Sequence, residues 1–303
     1  ERLADLLRGG LAGADQIRRA EWEEMAARMV DAQAPGLASR IRELGTLPSS
    51  GRGSARTTGP AGWPERLLAE SAMLHLLNQG VLNLDTLPEP LAATVRTRAG
   101  LTVDAADLLA DDTARVRDEW LVLARRDTEE ARLTARRTWL RGEGSGRVAL
   151  LLSYAPAGRQ LDVPLPVGSL LEAELSYYPG ARPLRAAMGE RHTAPRPGRV
   201  PAGGTVMDAL AEYGAVLCDD PWLDAWPSVL RAVVPIAGDD AVVGQLAHAD
   251  GEFAVPVAPG TSPSALWRLW AVAGGGPVTV FGECGHRGFS PYTVWSGDEA
   301  VPL

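Results

Sequence analysis

Trp120-Leu121-Val122-Leu123, then Ala131-Arg132-Leu133-Thr134-Ala135-Arg136-Arg137-Thr138-Trp139, then the apolar run 148–154 are the stretches whose reading decides the fold. Each is short and rich in residues that suit a pleated, half-buried backbone. In the middle run Leu133, Ala135 and Trp139 share one face, and Arg132, Arg136 and Thr138 share the other. That alternation predicts an antiparallel strand with one buried side. Residues 127–130 and 142–146 separate the runs as hairpin-like connections.

Strands continue toward the C-terminus, with runs at 170–177, 230–236, 242–249, 253–257, 278–282 and 292–295. Two helices interrupt them. One opens at Thr205, with Asp208 three positions on as a weakened capping box, and Val206, Leu210, Tyr213 and Leu217 as its inner face. The other opens at Ser262-Pro263, with Leu266, Trp267 and Trp270, and stops at Gly274-Gly275-Gly276. Residues 179–204 carry five prolines or more and read as irregular.

Toward the N-terminus the period changes to 3.6. Residues 14–33 place Ile17, Met25 and Met29 on one stripe, with Trp22, Ala26 and Val30 beside it. A short helix at 37–44 ends at Gly45, and 46–62 reads as a mobile loop. Trp63-Pro64 opens a helix whose buried face is Leu67, Leu68, Ser71, Leu74 and Leu77, and shorter helices follow at 90–99 and 103–110. Strands in runs, rather than alternating with helices, predict an α+β protein. An antiparallel helical domain at 1–112 precedes a domain at 113–303 with a mainly antiparallel sheet and a few helices.

Composition excludes chemistry. All 30 basic residues are arginine. Without lysine there is no Schiff-base nucleophile, no phosphate-loop lysine and no kinase ATP-clamp lysine. The scarcity of Asn, Ile and Phe as well as Lys points to a G/C-rich genome. A net charge of −8 opposes general binding to phosphate backbones. No run approaches the roughly 18 to 20 apolar residues that span a bilayer, so no membrane partner is expected. Two cysteines fit a reducing cytosol, and the expected location is cytoplasmic.

Several groups carry conceivable chemistry. Cys284-Gly285-His286 has ligand-like spacing, but Cys218, His75, His192 and His248 are not paired at such spacing. It reads as a turn between terminal strands, and no metal ligand is assigned. Cys218 reads as a small buried apolar residue. Asp111-Asp112, Asp219-Asp220 and Asp239-Asp240 read as turn residues. Between Arg115 and Arg147, nine arginines face six acids. Arg125, Arg126, Arg132, Arg136 and Arg137 form a ribbon that could grip phosphates or form cross-strand ion pairs. Trp222, Trp226, Trp267, Trp270 and Trp295 crowd the final third, where they serve a core or anchor a partner.

Four stretches together carry a resemblance. They are Met29-Val30-Asp31-Ala32-Gln33-Ala34-Pro35-Gly36-Leu37-Ala38, Asp118-Glu119-Trp120-Leu121-Val122-Leu123, Arg136-Arg137-Thr138-Trp139-Leu140-Arg141-Gly142 and Pro277-Val278-Thr279-Val280-Phe281-Gly282-Glu283. The chain resembles the long region that follows the zinc finger in actinobacterial SWIM zinc finger family proteins. The family's finger pairs Cys-x-Cys with a later Cys-x-His. This chain has no Cys-x-Cys, so the finger and its zinc are expected upstream of Glu1, and no cofactor is expected in the chain itself. The resemblance implies protein or DNA binding, near MoxR-type AAA+ ATPases and von Willebrand A proteins.

The leading expectation is a non-catalytic, protein-binding scaffold module, with no catalytic residues assigned. A second reading is nucleic-acid binding through the arginine ribbon. A third is a hydrolase using His192, His248 or His286 with an aspartate, which requires a carboxylate within hydrogen-bond reach.

Overall fold

The computed structural model describes residues 5, 8–10, 17–50, 62–101, 103–130, 133–156, 165–238 and 243–303. Two compact units divide them. The first is Glu1–Val103 with Pro179–Ala181, and the second is Asp104–Tyr178 with Arg182–Leu303. The division after Val103 lies earlier than the boundary expected after residue 112, and it puts one short helix with the sheets.

The first unit contains helices α1 (Arg19–Asp31), α2 (Pro35–Ser50), α3 (Trp63–Leu82) and α4 (Glu89–Ala99). Trp22 and Ala26, four apart on α1, are both buried. The expected stop at Gly45 does not occur, and α2 runs on through Pro48. A Cβ at Gly45 would lie 2.8 Å from the Trp22 ring, so this glycine is a notch for an indole rather than a helix terminator. Buried Leu44 and Leu47 carry the apolar stripe past it. The rest of the expected loop, 51–61, lies outside the described residues.

Leu67, Ser71, Leu74 and Leu77 line the buried side of α3, as their spacing predicts. Leu68 does not join them and stays 48% exposed, because one residue turns the helix by about 100° away from Leu67. Helix α4 ends at Gly100 (φ 91°), with Gly100 N–H donating to Thr97 O and Leu101 N–H to Arg96 O. This left-handed C-terminal cap satisfies the last carbonyls.

In the second unit, α5 (Ala105–Ala110) is capped by Asp104, whose carboxylate accepts from Ala106 N–H at 2.8 Å. Six strands follow: β1 (Arg115–Glu130), β2 (Leu133–Gly142), β3 (Val148–Pro156), β4 (Ser169–Tyr177), β5 (Arg185–Arg191) and β6 (Arg196–Pro197). Residues 131 and 132 lie outside the described residues. The expected turn at 127–130 is instead the end of β1, where Asp127 pairs with Arg136 across the ladder. The expected irregular stretch 179–204 holds β5 and β6.

The order is β1-β2-β3-β5-β4-β6, and β1 also pairs with β4. Strand β1 therefore closes a barrel: its first half bonds β4, its second half bonds β2, and a register shift separates Val122 from Ala124. A bulge of this kind bends one long strand so that it can serve two neighbours. β3 and β5 pair in parallel, while the other pairs are antiparallel. Five closed strands in this order form the Greek-key barrel of OB-folds. Trp120, Val122, Leu140, Leu171 and Leu175 fill it. The Trp120 indole N–H is satisfied by Ala173 O at 3.0 Å.

A second, antiparallel sheet has the order β12-β11-β10-β7-β8-β9. Its strands are β7 (Ala225–Ala237), β8 (Val243–His248), β9 (Ala254–Pro256), β10 (Val278–Gly285), β11 (Gly288–Ser296) and β12 (Glu299–Pro302). Consecutive residues face opposite sides. Leu230, Val280 and Val294 meet α6 (Val206–Asp219) and α7 (Pro263–Ala273). Val229, Phe281 and Trp295 meet Leu121, Leu123 and Trp139 of the barrel. The second unit is thus barrel, sheet and helices in three layers.

The predicted capping box of α6 is present: the Thr205 side chain accepts from Asp208 N–H, and the Asp208 carboxylate accepts from Thr205 N–H. Its buried face is Val206, Ala209, Tyr213 and Val216; the expected Leu210 is exposed and Leu217 only half-buried. Steps of three and four fit either set, so the period alone does not choose; packing against the sheet selects Ala209, and packing on Trp226 selects Val216.

Candidate binding surface and its polar support

Strand β10 carries one acidic residue, Glu283, into the layer between sheet and barrel. The hydroxyl of Tyr292 donates to its carboxylate at 2.6 Å, and the Trp139 indole N–H donates at 3.2 Å. The rings of Trp139 and Tyr292 lie 4.9 Å apart. Burial pushes the Glu283 carboxyl up, and the bonds from Tyr292 and Trp139 and the charges of Arg126 and Arg137 offset it only in part. Burial and the neighbouring Glu283 charge also raise the Tyr292 hydroxyl.

Above this group the Arg126 guanidinium sits 4.7 Å from the Tyr292 ring centre. Both residues line a cleft of about 250 Å³, together with Thr261, Ser262, Ser290 and Leu303. Neither Glu283 nor Tyr292 stood out in the sequence. The available signal was a carboxylate flanked by apolar neighbours in a strand, Phe281 and Cys284 among them.

The five tryptophans divide. Trp222, Trp226 and Trp295 are buried and belong to the interior of the domain. Trp226 is bonded through its indole N–H to Glu212 at 2.9 Å. On α7 Trp267 is 49% exposed, with its ring 5.3 Å from that of half-buried Trp270. The inward positions of α7 are Ala265, Leu266 and Leu269.

The arginine ribbon divides too. Arg132 lies outside the described residues. Arg136 forms a two-pronged pair with Asp127, both contacts at 2.8 Å. Arg137 donates to the Thr128 hydroxyl at 2.7 Å, Arg126 covers Tyr292, and Arg125 is half-buried on β1. OB barrels bind oligonucleotides on the face of their second and third strands. Here that face is packed against the second sheet at Trp139 and Leu150.

Of the histidines, His75 is exposed on α3. His192 Nε2 lies 3.1 Å from Glu174 Oε1, and Arg115 reaches the same carboxylate at 3.4 Å. His248 Nδ1 lies 2.7 Å from Asp250 Oδ2, and His286 Nδ1 lies 3.2 Å from the Tyr213 hydroxyl. Two histidines therefore have a carboxylate within reach, but none of the four lines the cleft beside Tyr292.

Cys284 is buried in the core between sheet and helices, and burial, with the Glu212 charge, pushes its thiol up to about 11. His286-Arg287 forms the turn of the β10–β11 hairpin, closed by the Gly285–Gly288 pair. Cys218, expected to be buried, is exposed near the end of α6, on the side of the helix away from buried Val216. Asp111 and Asp112 follow α5, and Asp219-Asp220 end α6, as turn residues do; Asp239 and Asp240 lie outside the described residues. Among the described residues no group of three or more His, Cys, Asp or Glu side chains could hold a metal ion, and no helix is long and apolar enough to cross a membrane.

No curated protein and no solved structure matches the chain. The family model for the SWIM-associated four-helix bundle domain matches residues 1–99, the stretch that contains α1 to α4. The N-terminal third of this chain is thus similar to a domain that accompanies SWIM fingers.

Proposed function

We propose that the chain is a non-catalytic, partner-binding module of a SWIM zinc finger protein, acting in the cytoplasm. Its partner is a MoxR-type AAA+ ATPase or an associated von Willebrand A protein, and the zinc belongs to a finger upstream. The match of residues 1–99 supports the SWIM association. The observation that carries the binding role is Trp267, half exposed and stacked on Trp270, on a helix whose other large apolar residues face inward. Exposed tryptophans on a rigid element are the side chains that most often anchor a protein interface.

The test is a tagged pull-down from native cytosol, with and without nuclease, read by mass spectrometry. Retention of an AAA+ ATPase or von Willebrand A protein despite nuclease, with loss in Trp267→Ala, is the expected result. Retention that disappears with nuclease replaces this reading with nucleic-acid binding. Retention of neither protein removes the proposed system.

A further inference from the structure

The cleft beside Tyr292 supports an inference that does not depend on the partner-binding reading. Three observations shape it. The first is the Arg126 guanidinium, stacked 4.7 Å above the Tyr292 ring. A guanidinium lying on an aromatic face keeps N–H groups along its rim, where a planar carboxylate can meet two of them at once. Arg126 is exposed; its side chain hydrogen-bonds that of Tyr292, and its charge acts on Glu283.

The second is that the platform beneath Arg126 is held from below. The Tyr292 hydroxyl donates to Glu283 at 2.6 Å, and its ring packs 4.9 Å from Trp139. Glu283 is half-buried, and a carboxylate withdrawn from water is unfavourable for folding unless it is bonded, as here; such departures concentrate where a site must be shaped.

The third is charge. Arg126 and Arg137 both act on Glu283. Arg126 is the one charged side chain among the residues that line the cleft, which favours an anion there. Ser262 and Ser290 add hydroxyls on the cleft wall.

We propose that this cleft binds a carboxylate, with Arg126 gripping both oxygens and Tyr292 as its fixed platform. The carboxylate belongs either to a small organic acid or to the free end of a peptide.

The test is isothermal titration calorimetry of the full chain at low ionic strength, in a buffer free of carboxylate. The probes are acetate, acetyl-trialanine, its C-terminal amide and inorganic phosphate. Saturable binding of acetate or of the free-acid peptide is expected, with at least about tenfold loss in Arg126→Gln, since a two-pronged charged pair is removed. Arg126→Lys, which keeps the charge and loses the fork, weakens binding to a lesser degree. Arg287→Gln, in the exposed hairpin turn, leaves it unchanged. Tighter binding of the free-acid peptide than of acetate identifies a chain end as the source, and the reverse identifies a small acid. The proposal is overturned by any of the following results. These are no saturable heat with either acid, equal binding of the amide, or wild-type binding by Arg126→Gln with an unchanged circular dichroism spectrum. Tighter binding of phosphate than of acetate also overturns it.

Discussion

The Trp139 indole N–H donates to Glu283 at 3.2 Å across 144 positions of sequence, and so links the barrel to the second sheet through a half-buried carboxylate. The same carboxylate fixes the Tyr292 hydroxyl at 2.6 Å.

That arrangement predicts a pH signature. The Glu283 carboxyl is raised in the folded chain, chiefly by burial. The folded state therefore binds this proton more readily than the unfolded state. Its contribution to stability is full below the unfolded carboxylate pKa and is lost as pH rises through the raised folded value. Glu283→Gln keeps one acceptor oxygen, for the Trp139 N–H, and turns an NH2 toward the Tyr292 hydroxyl, which must then accept. It cannot ionise, so its thermal midpoint should vary less between mildly acidic and neutral pH than that of wild type. Glu283→Ala leaves the buried Trp139 N–H unpaired, while the half-buried Tyr292 hydroxyl at the cleft can turn to water, and should cost about 1–3 kcal/mol. A wild-type pH profile in Glu283→Gln removes this account.

Asp118 should act with the opposite sign. Burial pushes its carboxyl up, but bonds from the Ser145 side chain and from the backbone N–H groups of Ser145, Gly144 and Glu119 outweigh this and hold it low. Two of them pin the β2–β3 turn, at 2.8 Å from Ser145 N–H and 3.0 Å from Gly144 N–H. Stability from this group is present above the unfolded pKa and is lost as pH falls through the depressed folded value. Asp118→Asn should lose roughly 1 kcal/mol near neutral pH, a figure kept low for solvent screening. The difference from wild type should shrink in acid. Urea midpoints measured across pH check both halves.

The first unit has a tight point of its own. A Cβ at Gly36 would lie 2.3 Å from Arg98 O, where the start of α2 meets the end of α4. Gly36→Ala must push two backbones apart, and it should destabilise the unit by about 1–3 kcal/mol. Helical circular dichroism in denaturant is the measurement, and an unchanged midpoint would show that α2 and α4 can separate freely.

Two tryptophans should respond in opposite ways to the same change. Trp139 is buried against Phe281 and Tyr292, and Trp139→Ala should cost about 3–5 kcal/mol. Trp267 is half exposed, and Trp267→Ala should cost under about 1.5 kcal/mol while abolishing partner retention. A Trp267→Ala chain that melts like Trp139→Ala would make Trp267 a structural residue instead.

Local signals in the sequence were readable where local physics sets the structure. Pro64 marks the start of α3, Thr205 and Asp208 mark α6, and the run 170–177 falls one residue short of β4. The losses came from distant partners. Gly45 reads as a stop until Trp22 is seen to fill the space beside it. Polar Asp127 to Glu130 read as a turn until Arg136 is placed opposite Asp127. Prolines at 183, 195 and 197 disguised β5 because they flank 185–191 rather than interrupt it. Closure of the barrel rests on β1 serving two strands and on a brief parallel pairing of β3 with β5, neither of which has a local signature. The cleft was illegible for the same reason: Arg126, Tyr292 and Glu283 come from three strands and only the fold assembles them.

The burial of the barrel's outer face by β10 and β11 has a consequence for how the chain is made. Leu121, Leu123 and Trp139 leave the ribosome well before Phe281 and Trp295, the side chains that cover them. Throughout that interval the growing polypeptide presents a greasy wall with no lid. Long-range pairing of this kind is slow and exposes intermediates to self-association. Chains cut short before β10 should therefore aggregate more readily than the full chain, a liability that lies in the strand order itself.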